Sequence, residues 1–253
     1  MSKQAPRAAR DEPPHDSSPP DTSPGDSSSS GQAARKSKLF VAPDLTQLVV
    51  ATISALLVGA IYLALPKELA FIQPPWLLII IEAALLAPVV VAAISVRVSL
   101  PYHIARALAL SLLAVLTVAL AGSVFLLAVN FSGLKGTALL QPAGLLWASN
   151  ILVFALWYWE TDGNGPPKRL ENSYAAADFQ FPQQQNGDPT NWAPGFVDYL
   201  FVAFCTSTAL SPADTVPLTR RAKVLMMIQA VISLLILVLL VARSVNIIGQ
   251  AGG

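Results

Sequence analysis

Six oxygen-bearing side chains crowd one short stretch of the chain, and four of them are candidates for chemistry. Thr206, Thr208, Ser211 and Asp214 lie in the run Thr206-Ser207-Thr208-Ala209-Leu210-Ser211-Pro212-Ala213-Asp214-Thr215. Hydroxyls, helix-end carbonyls and a carboxylate are the groups that hold a partly dehydrated cation, and selectivity filters are built from such oxygens. These four residues are therefore the candidates for lining an ion path. A plainer role competes with that one. Asp214 or Thr219 can cap the helix that follows, Pro217 can form the turn, and Arg220, Arg221 and Lys223 can anchor that helix at the water interface.

Glu82 and Arg243 are the second candidate pair. Both sit inside apolar runs, where a charge is costly and generally finds a partner. Glu82 lies ~9 Å in from Trp76, and Arg243 lies ~8 Å in from the far end of the last run. The matching depths predict a Glu82–Arg243 ion pair, either a proton or ion relay or a lock between helices, with Asn246 one turn beyond Arg243 able to complete it. No nucleophile elbow, phosphate loop, zinc motif or paired carboxylates occur in the sequence. His15 and His103 are far apart, and Cys205 is the single cysteine. No catalytic or metal-binding residue is assigned, and neither enzyme activity nor a cofactor is expected.

The elements that must position these residues are apolar helices. Of the 253 residues, 54% are hydrophobic and only 12% are charged, about half the charged share of a soluble domain. The net charge of +1 argues against a nucleic-acid partner, which would want a basic patch. Residues 1–38, rich in Pro, Ser and Asp, have the composition of a disordered tail. Apolar runs long enough to cross a bilayer are read at Leu45–Leu65, from Pro74 to Val96 with Pro88 kinking the helix, Arg106–Asn130, Pro142–Trp159 and Val224–Ile248. Residues 39–141 thus form a three-helix region, and residues 142–253 hold the fourth span, a polar loop, the candidate stretch and the last span. Trp157, Tyr158 and Trp159 read as an aromatic belt at the interface. Asp162–Pro167 reads as a tight turn, and the aromatics between Tyr174 and Pro182 as packing back onto the interface.

Phe196–Leu210 is apolar but short. At ~1.5 Å per residue it reaches ~22 Å, less than the ~30 Å hydrocarbon core. It reads as a re-entrant, pore-like helix, with a sixth, tilted span as the alternative. Charge bias favours re-entry. Arg35, Lys36 and Lys38 place the N-terminus in the cytoplasm, and Arg97, His103 and Arg106 fall on the same side two crossings later. Arg220, Arg221 and Lys223 join them only if Phe196–Leu210 dips and returns. The expected fold is all-α, with about five transmembrane helices plus one short re-entrant helix. Its partners are the lipid bilayer, further copies of the chain in a homo-oligomer and, if it conducts, monovalent cations.

Two resemblances can be attached to named residues. Thr208, Asp214 and Pro217 fall where the potassium-channel filter signature has its threonine, aspartate and trailing proline, although Ser211-Pro212-Ala213 stands in place of Gly-Tyr-Gly. Asp198–Phe204 resembles the pore helix of that family, and the long helix after it the inner helix. Leu145–Trp159 takes the place of the outer helix. This resemblance implies cation conduction through a degenerate pore loop. The second resemblance runs over residues 145–249. Trp157-Tyr158-Trp159-Glu160 with Asp162, Asp178-Phe179 with Phe181-Pro182, Asp198–Phe204, Ser211-Pro212 with Asp214, and Pro217-Leu218-Thr219 with Ala222-Lys223 and Leu225-Met226 are similar to a family of uncharacterised bacterial multi-pass membrane proteins. It implies a bacterial inner-membrane location and no particular activity, which leaves a non-conducting scaffold or regulatory role as the alternative to an ion-channel-like one.

Overall fold

The structure is a computed structural model that describes residues 45–95, 100–130, 139–185, 192–208 and 215–251. Five of its helices are long and apolar enough to cross a membrane: α1 (Leu45–Leu63), α2 (Trp76–Ile94), α3 (Tyr102–Val129), α4 (Leu140–Thr161) and, last in the chain, α8 (Arg220–Ala251). Shorter helices α5 (Pro166–Glu171), α6 (Pro182–Gln185) and α7 (Phe196–Ser207) fall between α4 and α8. The fold class is all-α, as the sequence predicts, and the five long helices are the five spans read from it. The tail, Asp44, Arg97 and Lys135 lie outside the described residues.

Helix α4 is the hub. It packs against α1, α3, α7 and α8, while α2 packs against α1 and α3 at the periphery. The burial of the two helices follows: 56% of the α4 window is buried inside the protein, against 11% for α2. Helix α4 is covered nearly all round by protein, from Ala143 and Leu146 through Val153 and Phe154 to Tyr158 and Trp159. This corrects the aromatic-belt reading. Tyr158 and Trp159 are buried in the bundle, and half-buried Trp157 donates its indole N–H to Thr117 Oγ1 at 2.8 Å. Phe179 and Phe181 are likewise core residues rather than interfacial ones; Phe179 stacks on Tyr158 and Tyr199, and Phe181 on Tyr199 and Trp192.

Helix α7 is too short to cross. Twelve residues give ~18 Å of rise. Its first turn is tied to the start of α1, where Gln47 Oε1 accepts the Phe196 N–H at 2.6 Å. Asp198 accepts the Gly195 N–H at 2.7 Å, an acid at the positive end of the helix. The chain then returns to that same end of the bundle. Val216-Pro217 (β2) pairs antiparallel with Phe179-Gln180 (β1), with Phe179 opposite Pro217 and Gln180 opposite Val216. Thr219 caps α8, its hydroxyl accepting the Ala222 N–H at 3.3 Å. Both ends of the segment from Gly195 to Thr219 therefore sit beside the C-terminus of α4 and the N-terminus of α1, which is the re-entrant geometry. The Pro88 ring lies inside α2, where its missing N–H removes one rung of the helix ladder.

Candidate functional site

Two polar layers fix the re-entrant helix, one at its mouth and one at its tip. At the mouth, Asp162 ends α4 and opens a turn in which Gly163, Asn164 and Gly165 all take positive φ. Glycine adopts that backbone without strain, which explains the Gly-rich turn read from the sequence. The turn aims the Asp162 carboxylate inward. Its Oδ1 accepts the backbone N–H groups of Asp178 (2.7 Å) and Phe179 (3.1 Å), and its Oδ2 accepts the Tyr199 hydroxyl at 2.6 Å. One carboxylate thus joins α4, the polar loop and α7.

Asp178 then joins the loop to α8. Its Oδ1 accepts Thr219 Oγ1 and Arg221 Nε, each at 2.5 Å. Its Oδ2 accepts Arg221 Nη2 at 2.6 Å and the Gly163 N–H at 3.0 Å. Burial alone would push the Asp178 carboxyl up. The Arg221 and Thr219 donors, the Arg221 charge and the Gly163 amide outweigh burial and hold it below the usual carboxylate range. Arg221, expected as a free interfacial anchor, is instead half of this bidentate pair. Arg169 completes the layer: buried, it donates Nη1 to the Trp159 and Asp162 carbonyls (2.5 and 2.8 Å) and lies over the rings of Trp159 and Tyr199. Arg106 and Tyr102 of α3 both donate to the Asn164 carbonyl.

At the tip, α7 ends beside Asn150, about three turns down α4 from Asp162. Gln229 of α8 donates Nε2 to the Ala203 carbonyl (2.7 Å) and to Ser207 Oγ (3.0 Å), and its Oε1 accepts the Tyr158 hydroxyl. Ser233 Oγ donates to the Ser207 carbonyl at 2.6 Å, and Asn150 Nδ2 donates to Ser207 Oγ at 3.2 Å. Gln229 and Ser233, one turn apart on α8, therefore face the bundle interior. Asn150 Oδ1 is buried with no hydrogen-bond partner among the described residues.

The candidate ion-path residues divide. Thr206 Oγ1 turns back to the Val202 carbonyl (2.8 Å), and Thr208 Oγ1 to the Phe204 and Cys205 carbonyls (3.0 and 3.2 Å). Both hydroxyls are used within their own helix. Ser211 and Asp214 lie outside the described residues. Glu82 is fully buried in α2, and neither carboxylate oxygen has a hydrogen-bond partner among the described residues. The side chains of Arg243 and Asn246 lie outside the described residues. No group of three or more His, Cys, Asp or Glu side chains suited to a metal ion occurs among the described residues.

Sequence reasoning missed Asp162, Asp178, Arg169 and Tyr199 as a connected set at the mouth, and Asn150 at the tip. The short motifs of residues 157–162, 178–182, 198–204 and 217–226 mark segments that meet at the mouth, but not which side chains pair there.

Because the folded Asp178 carboxyl sits below its ordinary value of 3.8, its contribution is intact above that value. It is lost as the pH falls from there through the folded-state value. Wild type should therefore lose thermal stability on acidification below about pH 4. Asp178→Asn should lower Tm by roughly 5 °C at neutral pH and lack that acid-dependent step. Parallel Tm–pH curves would remove the ion pair from the clamp. At the tip, Gln229→Leu removes the acceptor of the Tyr158 hydroxyl and the donor to the Ala203 carbonyl, at a cost of about 1–3 kcal/mol measured by thermal unfolding in detergent. An unchanged Tm would contradict that role.

Comparison with protein-family models, curated proteins and solved structures found no match to this chain.

Proposed function

We propose that this chain acts as a non-conducting scaffold or regulatory protein of a bacterial inner membrane, with its N-terminus in the cytoplasm. The observation that carries this reading is how the re-entrant helix uses its surface. Its described hydroxyls are taken up inside the protein, Tyr199 by Asp162, Thr206 and Thr208 by carbonyls of the helix and Ser207 by Gln229 and Asn150, and its outward face is apolar, with Val197, Phe201 and Phe204 exposed. A pore-lining element needs free oxygens facing water; an apolar outward face suits lipid or another copy of the chain. The orientation is supported by charge. Arg106, Lys168, Arg169, Arg220, Arg221 and Lys223 gather at one end of the bundle, while Lys67 is the basic residue described at the other, and the positive end is the cytoplasmic one. The scaffold reading leaves no step for enzyme chemistry.

One observation favours a second reading, cation conduction by a homo-oligomer. A half-helix stops at membrane depth, and beside its tip the buried Asn150 Oδ1 has no donor among the described residues. In that reading Thr206, Thr208, Ser211 and Asp214 would line the path, and the resemblance to potassium-channel pores would reflect descent.

Liposomes holding purified protein separate the two. Cation flux from wild type and from Asp214→Asn should both match protein-free liposomes. Wild-type flux whose ion preference changes in Asp214→Asn would overturn the scaffold reading.

A further inference from the structure

Glu82 lies outside both polar layers and has a site of its own. It sits on α2, which packs mainly against α1 and α3. Its side chain is fully buried, although α2 is otherwise the most exposed of the five long helices. The carboxyl rests directly on the backbone of α1: a Cβ placed on Gly59 would lie 2.2 Å from Glu82 Oε2 and 2.9 Å from Oε1. Only glycine leaves room for this contact.

Among the described residues the seat supplies no counter-charge. Glu82 is about six residues from the end of α2, Gly59 about four from the end of α1, and Ser123 about six from the end of α3, so the three occupy one layer of the bundle. Tyr62 is the titratable side chain that α1 brings near this layer, and its hydroxyl accepts the Ile72 N–H at 2.5 Å. Ser123 Oγ of α3 is buried beside the Tyr62 hydroxyl. His103 and Arg106 lie at the opposite end of α3, ~25 Å away along the helix. Lys67 and Glu68 occupy the exposed turn between α1 and α2. The remaining cation that could matter is Arg243 of α8, whose side chain lies outside the described residues. A carboxylate with neither donor nor counter-ion is unstable in such surroundings, whereas the neutral acid is tolerated.

We propose that Glu82 is a proton-binding site. The carboxylic acid carries its proton at neutral pH, sealed between α1, α2 and α3, and releases it only when α1 separates from α2 at Gly59. The ligand is a proton, bound and released at one carboxyl oxygen.

Infrared spectroscopy of the full chain in lipid tests this directly. Wild type at about pH 7 should show a protonated-carboxyl C=O band that is lost in Glu82→Gln, which keeps the side-chain shape. In heavy water the band should shift slowly, and roughly tenfold faster in Gly59→Ala, where the added methyl displaces the carboxyl from its seat. A wild-type spectrum with no such band, or a carboxylate band that Glu82→Gln removes, would overturn the proposal and assign Glu82 to an ion pair with Arg243. Exchange equally fast in wild type and Gly59→Ala would overturn the seal. Should Glu82→Gln fail to fold, Glu82→Asp decides instead: a protonated-carboxyl band that changes frequency in Glu82→Asp supports the acid, and a band unchanged in Glu82→Asp contradicts it.

Discussion

A helix that stops inside a bilayer leaves backbone carbonyls with no water to accept from, and the fold of this chain depends on meeting that demand. The last turn of α7 is where it arises. The Ala203 carbonyl accepts from Gln229, the Ser207 carbonyl from Ser233, and the Phe204 and Cys205 carbonyls from the Thr208 hydroxyl. Two side chains one turn apart on α8 thus supply the outside donors. They also fix the depth of α7, because Ser207 must reach them, and its rotation, because Ala203 and Ser207 lie on one face of a helix. The opposite face, with Val197, Phe201 and Phe204, is then left outward.

The mouth of the re-entrant segment solves a different problem. The chain must enter and leave at one end of the bundle, so α4, the loop, α7 and α8 must be held together near water. Two carboxylates do this in series. Asp162 takes donors from the loop and from α7, and Asp178 takes donors from the turn and from α8. Because Asp178 is buried while Arg221 is about half exposed (48%), the cation can be solvated if the pair opens, but the carboxylate cannot. The carboxylate is therefore the more sensitive member. The two layers lie along α4, and this explains why α4 is the most buried span although its sequence is less apolar than those of α2 and α8.

What could be read from the sequence follows from the same physics. Crossing a bilayer requires length and hydropathy, both local properties, so five spans were legible with ends within a few residues of those observed. The short reach of Phe196–Leu210 and the basic cluster at Arg220–Lys223 implied re-entry. Contacts between distant polar residues were not legible, because Asp178 and Arg221, or Asn150 and Ser207, announce nothing about each other. The aromatic run Trp157–Trp159 misled for a related reason. Tryptophan and tyrosine suit an interface or a core with a hydrogen-bond partner, and only the packing of Gln229 against Tyr158 and of Arg169 against Trp159 decides between them. Glu82 was legible as an intramembrane acid, but its seat on Gly59 was not.

The measurement that bears most directly on this account is thiol labelling from each side of the membrane. With Cys205 replaced by serine, single cysteines would be placed at Glu171, before the re-entrant segment, and at Lys223, after it; both positions are exposed. A third would be placed at Lys67. A membrane-impermeant thiol reagent should reach positions 171 and 223 from the same face and position 67 from the opposite face. Labelling of 171 and 223 from opposite faces would mean that Phe196–Leu210 crosses the bilayer, and the re-entrant architecture would be wrong.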